Sequence, residues 1–191
     1  MSFSKEEVLF DMAPARILKR TERRLSPWVR VISKEVEFAS GKEVEVYHCV
    51  AQPDYIAILA KTSSGLIPLV RQYRPAVEAY TWELPAGLLE KGEGPEDACR
   101  RELKEETGLN AEKVTYLGCY YPDTGRLENR LHAFFVTTPD PDPGFAPEPG
   151  ISVKFVSTQK LGEYILSGKF KHQLHIGILA IACLAGLDWR A

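Results

Sequence analysis

Residues 87–109 read GLLEKGEGPEDACRRELKEETGL, and three of the glutamates, Glu102, Glu105 and Glu106, fall within five residues. The stretch carries the signals of a helix over 94–107. Pro95 suits the first turn, Glu96 and Asp97 favour the positive end, and Gly108 stops it. On a helix, positions i, i+3 and i+4 share one face, so the three carboxylates crowd together. Like charges at that spacing are unfavourable, and a compensating cation is expected. Arg101 stands i,i+4 to Glu105 and offsets part of the charge from within. Oxygen-only donors favour hard ions such as Mg²⁺ or Mn²⁺. Such ions neutralise anionic oxygens and lower the pKa of a bound water.

Outward from this helix the pattern is mostly strand. Residues 28–50, WVRVISKEVEFASGKEVEVYHCV, alternate apolar and polar side chains around ASGK, as a β-hairpin does. Strands are expected at 55–61, 66–73, 79–85, 113–121, 130–137 and 152–157, and helices at about 158–167 and 172–186. Residues 1–25 give no clear assignment, and 139–150 form a proline-rich loop. The fold class is α+β, or mixed α/β, with helices packed on a mixed sheet.

The composition narrows the function. The chain has 191 residues, enough for one sizeable core with a small appended element. A formal net charge of −2 argues against a general nucleic-acid backbone binder, though a nucleotide needs only a local basic pocket. The N-terminus, MSFSKEEVLFDMAPARILKR, lacks the apolar core of a signal peptide. The longest apolar run, IGILAIACLAGL (176–187), is too short to span a bilayer and reads as a buried helix. Cys49, Cys99, Cys119 and Cys183 are widely spaced, so reduced thiols and a cytoplasmic setting are expected.

The spacing in 87–109 resembles the Nudix box. Gly87 is separated from Glu93 by five residues and Glu93 from Arg101-Glu102 by seven; Leu103, Glu105-Glu106, Gly108 and Leu109 follow. All seven fixed identities and both aliphatic positions match. The resemblance implies a Nudix-type α/β/α sandwich. It implies Glu102 and Glu106 as main metal ligands, Glu105 as a further ligand, and the Ala86 carbonyl beside them. Gly87, Glu93 and Arg101 take structural roles, Glu93 orienting the loop and Gly87 allowing geometry that a Cβ would block.

The preceding segment, LVRQYRPAVEAYTWELPAGLLEKGE (69–93), resembles the ADP-ribose pyrophosphatase and nucleoside diphosphate sugar hydrolase branch. Arg74 matches that branch's phosphate-contacting arginine, and Arg71 stands near it; each is otherwise a plain surface arginine. Residues 26–50, SPWVRVISKEVEFASGKEVEVYHCV, resemble the branch's N-terminal β-domain, which often exchanges between two subunits; this implies a small N-terminal antiparallel β-domain over 1–50 and a hydrolase domain over 51–191. A homodimer is therefore expected. Trp28 is the candidate for stacking on adenine, or else a strand-edge core residue. Arg126, Glu128 and Asn129 either read the distal sugar or phosphate or simply form a turn. Glu148, in the loop 139–150, corresponds to a glutamate that serves the branch as general base or further ligand; Glu105 and Glu106 are the alternatives. His132, His172 and His175 read as structural, the last two lacking a carboxylate neighbour in sequence.

The resemblance implies metal-dependent hydrolysis of ADP-ribose or a related nucleoside diphosphate sugar to a nucleoside monophosphate and a sugar phosphate. One alternative is the same chemistry on GDP-mannose, a dinucleoside polyphosphate or a capped RNA end. The other is a non-catalytic nucleotide sensor, a type that usually lacks box glutamates. Neither membrane nor nucleic acid is an expected partner.

Overall fold

The computed structural model describes residues 15–38, 43–147 and 149–190. The chain divides into two compact units, Met1–Gln52 with Asp123–Glu128, and Pro53–Pro122 with Asn129–Ala191.

The first unit is built on an antiparallel sheet of β1 (Arg16–Arg24), β2 (Arg30–Glu37) and β3 (Val44–Ala51) in that order. The hairpin pattern read in 28–50 becomes β2 and β3, and the ASGK tip (39–42) lies outside the described residues. β1 falls in the stretch that the pattern left unassigned. Every residue of it is exposed, so it has no buried face to impose a period. Its side chains meet β2 through surface ion pairs, among them Arg30–Glu22 at 3.2 Å and Lys19–Glu35 at 3.4 Å. Such pairs contribute little each. A small core of Ile32, Cys49 and Ala51 holds the sheet. Residues 123–128 join it by backbone bonds, Val50 N–H to Arg126 O (2.8 Å) and Glu128 N–H to Val50 O (3.0 Å).

In the second unit, β4 (Tyr55–Thr62) and β9 (Leu131–Thr138) pair in parallel at the centre of a sheet ordered β7-β4-β9-β8. Here β7 is Ala86–Leu88 and β8 is Lys113–Tyr120. A second sheet, ordered β10-β5-β6, joins β5 (Ile67–Arg74), β6 (Ala79–Glu83) and β10 (Ser152–Val156). Central strands covered on both faces read as continuous apolar runs, which is why YIAILAKT does not alternate.

Two cores lie on opposite faces. Ile56, Ile58, Ala60, Phe134 and Val136 meet Ala98, Cys99 and Leu103 of helix α1 (Pro95–Thr107). Ala57, Leu59, Ala133 and Phe135 meet α2 (Thr158–Leu166) and α3 (Gln173–Leu184) through Leu161, Ile178 and Leu179. A fully buried leucine such as Leu103 contributes about 2 kcal/mol by transfer alone. The unit is thus a mixed α+β fold with helix layers on both sides of the sheet. α1 ends where Gly108 adopts φ 74° and donates its N–H to Lys104 O. Among the described residues no helix is long and apolar enough to cross a membrane.

Candidate active site

The short strand β7 hydrogen-bonds to β4 and lays Ala86 and Gly87 beside α1. The backbone at Gly87 and the Glu102 carboxylate come so close that a Cβ built on Gly87 would overlap it. The glycine is therefore required by close approach, not by an unusual φ. Gly87→Ala pushes only on the far end of a flexible side chain, so the fold tolerates it. Glu102 must swing away instead. Activity is expected to fall by about 10- to 100-fold with the melting temperature nearly unchanged, a comparison read from steady-state rates and a thermal melt.

Arg101 organises the glutamates. Its Nε and Nη2 donate to the two oxygens of Glu93 (2.8 and 2.9 Å), and Nη2 also reaches Leu88 O at 3.2 Å. Nη1 donates to Glu102 (2.8 Å) and Glu105 (3.0 Å). All five donors of the guanidinium are in use. Glu93 in turn accepts from the Glu90 N–H at 3.0 Å, which ties the loop to the helix. The Arg101 fork holds the Glu93 carboxyl down at about 2.

Glu106 lies outside that arrangement. It is only 7% exposed, and the hydrogen bond recorded for its side chain is from the Ala86 N–H at 2.9 Å. Burial, reinforced by the Glu102 charge, pushes its carboxyl up to about 8. Burial also raises Glu102, against the pull of Arg101. A buried carboxylate and a partly buried one that repel each other, beside a glycine that leaves them room, fit a hard divalent cation. The residues that could hold it are Glu102 and Glu106, then Glu105, which is half-exposed, and the Ala86 carbonyl.

Arg74, at the end of β5, spends its fork on Glu83 of β6: Nε to Oε1 at 2.9 Å, Nη2 to Oε2 at 2.6 Å. Glu83 is 1% exposed and also accepts from the Thr81 hydroxyl. Burial pushes the Glu83 carboxyl up, but the bonds from Arg74 and Thr81 outweigh it and bring it below the usual carboxylate range. Arg74 still acts electrostatically on Glu106. Arg71 lies over the Tyr80 ring, 4.4 Å from its centroid.

The sequence reading missed the neighbour of the two histidines. Among the described residues, the group of three ligand-type side chains whose donor atoms lie within 4.8 Å of one another is Glu83, His172 and His175, not the box glutamates. Nearly 90 residues separate Glu83 from His172, and no local spacing reveals the contact. The group does not suit a cation. Arg74 occupies both Glu83 oxygens, and the Leu84 N–H donates to His175 Nδ1 at 3.0 Å. Within it, Glu83 is the member that locks Arg74, and the two histidine rings stack on each other 3.7 Å apart.

Burial and the neighbouring His172 push His175 down to about 3. Between that value and the unfolded value near 6.5, the unfolded chain binds a proton that the folded chain refuses. Stability therefore falls as pH drops through this window and stops falling for this group below about 3. The contribution is at most about 1.4 kcal/mol per pH unit. His175→Asn keeps an acceptor for Leu84 and is expected to flatten that slope in melts taken across the window.

Trp28 and Arg126 belong to the first unit. Trp28 is 60% exposed in the turn between β1 and β2, where its N–H and that of Val29 donate to Ser26 Oγ, so it is not a core residue. Arg126 sits in a turn capped by Asp123 and lies over the Tyr47 ring, 5.0 Å from its centroid. In the same unit Glu128 pairs with Lys34. Asn129, in the second unit, donates to Pro53 O at 3.3 Å. Glu148 lies outside the described residues.

Two core layers on a mixed sheet, with a glycine-cradled glutamate helix at its edge, define a class. The NUDIX domain pattern matches residues 51–174, and the chain belongs to that family. It is similar to an ADP-ribose pyrophosphatase of Bacillus subtilis, 38% identical over 119 residues covering 55% of this chain and 64% of that one. It is also similar to a CMP-5'-(N-acetyl-N-hydroxy-3-aminopropyl)phosphonate hydrolase of Streptomyces rubellomurinus, 31% identical over 127 residues covering 65% and 61%. The chain spans less than two thirds of the length of these relatives. A solved structure described as an ADP compounds hydrolase shares the fold, with a TM-score of 0.75 at 22% identity, covering 90% of this chain and 93% of that one.

Proposed function

We propose that this protein is a divalent-metal-dependent pyrophosphohydrolase acting on ADP-ribose or a related nucleoside diphosphate sugar. The products are a nucleoside monophosphate and a sugar phosphate. The observation that carries the reading is Glu102 and Glu106 of α1 brought against Gly87 and Ala86, with Arg101 holding Glu102. The relative named ADP-ribose pyrophosphatase supports the substrate class.

Glu102 and Glu106, with Glu105 and the Ala86 carbonyl, would hold Mg²⁺ or Mn²⁺. When bound, the ion neutralises diphosphate oxygens and makes a coordinated water more acidic. The chain supplies the rest. Arg101 fixes Glu102 and Glu105 in place. Glu105, Glu106 or Glu148 removes the proton from the attacking water. Arg74, held by Glu83, faces the developing phosphate charge, with Arg71 beside it. Catalysis is then mostly positioning and charge neutralisation.

The reading extends to a cytoplasmic homodimer with an N-terminal β-domain (1–50) and a hydrolase domain (51–191). The exposed apolar side chains Ile17, Leu18, Val44 and Val46 support an interface role for the first segment; the exposed Trp28 ring would stack on the base and Arg126 would meet the sugar. The four free thiols suit a reducing compartment.

A hydrolysis panel tests it: ADP-ribose, ADP-glucose, GDP-mannose, diadenosine polyphosphates and NADH, in Mg²⁺ and in EDTA, with products resolved by chromatography. EDTA-sensitive release of AMP from ADP-ribose, faster than from the others, is expected. A different preferred substrate reassigns the pocket. Tight nucleotide binding without turnover replaces the reaction by a sensing role.

A further inference from the structure

A cavity of about 670 Å³ opens beside β6 and the turn that joins α2 to α3. That volume is in the range of about 300–1,000 Å³ usual for small-molecule sites. Arg71, Arg74, Lys169 and Lys171 line it, together with the aromatic walls Tyr80 and Trp82. Glu83 is the one carboxylate in the lining, and Arg74 already holds it. Four cations against one carboxylate leave a formal excess of three positive charges, in a chain whose net charge is −2. Among the described residues, Arg71, Lys169 and Lys171 make no ion pair. The nearby Glu163 is taken by Lys160 at 2.6 Å.

We propose that this cavity is a site for a phosphate monoester, with the phosphate among Lys169, Lys171 and Arg71 and the organic part against Tyr80 and Trp82. The choice of a monoester rests on the proposed reaction. A diphosphate diester carries one charge per phosphorus and belongs to the glutamate cluster. Hydrolysis turns each half into a monoester, which carries nearly two charges near neutral pH and three acceptor oxygens. A cavity with this excess of cations suits the second charge.

The test is calorimetric binding to the full chain in EDTA, with inorganic phosphate, AMP and ribose 5-phosphate as probes and adenosine and ribose as phosphate-free controls. The phosphate-bearing probes are expected to bind and the controls not. AMP alone assigns the site to the nucleotide half, ribose 5-phosphate alone to the sugar half, and both to the phosphate itself. Lys169→Gln/Lys171→Gln is expected to weaken binding by roughly tenfold or more, and Lys169→Arg/Lys171→Arg to retain it, with circular dichroism showing that both variants fold. No binding of any phosphate probe by the parent in EDTA, or unchanged binding by the glutamine variant, overturns the site. Hydrolysis in Mg²⁺ is scored separately, so a protein that binds phosphate but turns nothing over refutes the reaction and not the cavity.

Discussion

Glu106→Gln is expected to lower kcat/KM for ADP-ribose by at least about a hundredfold while leaving the fold intact. The side chain is nearly buried, and Ala86 N–H is its recorded hydrogen-bond donor. Glutamine matches its volume, and the amide oxygen still accepts from Ala86. What is lost is the negative charge, which burial and Glu102 already disfavour in the metal-free protein. Removing that charge does not destabilise the fold, so a thermal melt within a few degrees of the parent is expected, while the Mg²⁺ concentration needed for half-maximal rate rises. Glu105→Gln is the internal comparison. Its carboxylate is half-exposed and held by Arg101, so as a peripheral ligand it costs less. An equal or larger loss there would make Glu105 the base. Turnover near the parental level in Glu106→Gln would remove Glu106 from the site.

The parts of the site legible in the sequence are those encoded by local spacing. A helix converts the i, i+3, i+4 positions of Glu102, Glu105 and Glu106 into one face, and the strict gaps to Gly87 and Glu93 brought the loop with it. The hairpin at 28–50, the central strands and the three helices were legible too, because burial on one or two faces leaves a period or an unbroken apolar run. β1 was not, since a strand exposed along its whole length has no such period. β7 is three residues long and straddles the start of the box, where loop and strand look alike in sequence. The partner of His172 and His175 was out of reach for another reason. Glu83 meets them because the start of α3 reaches the end of β6, where the Leu84 N–H donates to His175, and contacts across that distance in the chain leave no spacing to count. The reading of Arg74 as the phosphate-contacting arginine did not include its partner Glu83, nine residues on in the paired strand β6.

That ion pair sets the other large expectation. Arg74→Ala strands a carboxylate that is 1% exposed, and the loss is expected to be about 2 kcal/mol or more; Arg74 is itself 42% exposed, which keeps the figure below that of a fully buried pair. Glu83→Gln leaves its partner arginine near solvent and is expected to lose only about 1 kcal/mol. The double variant Arg74→Ala/Glu83→Gln should recover part of the loss of Arg74→Ala, because the uncompensated charge is gone. Urea melts of the four proteins give the coupling. A double variant no more stable than Arg74→Ala would show that Glu83 is not stranded by the loss of arginine, and that the Thr81 hydroxyl holds it without help. Kinetics separate positioning from stability. Glu83→Gln frees the guanidinium without removing its charge, so KM should rise several-fold while kcat changes less; Arg74→Ala removes the charge that acts on Glu106 and should lower both kcat and kcat/KM. Equal kinetics in Glu83→Gln and the parent would mean that the pair supports the sheet and not the substrate.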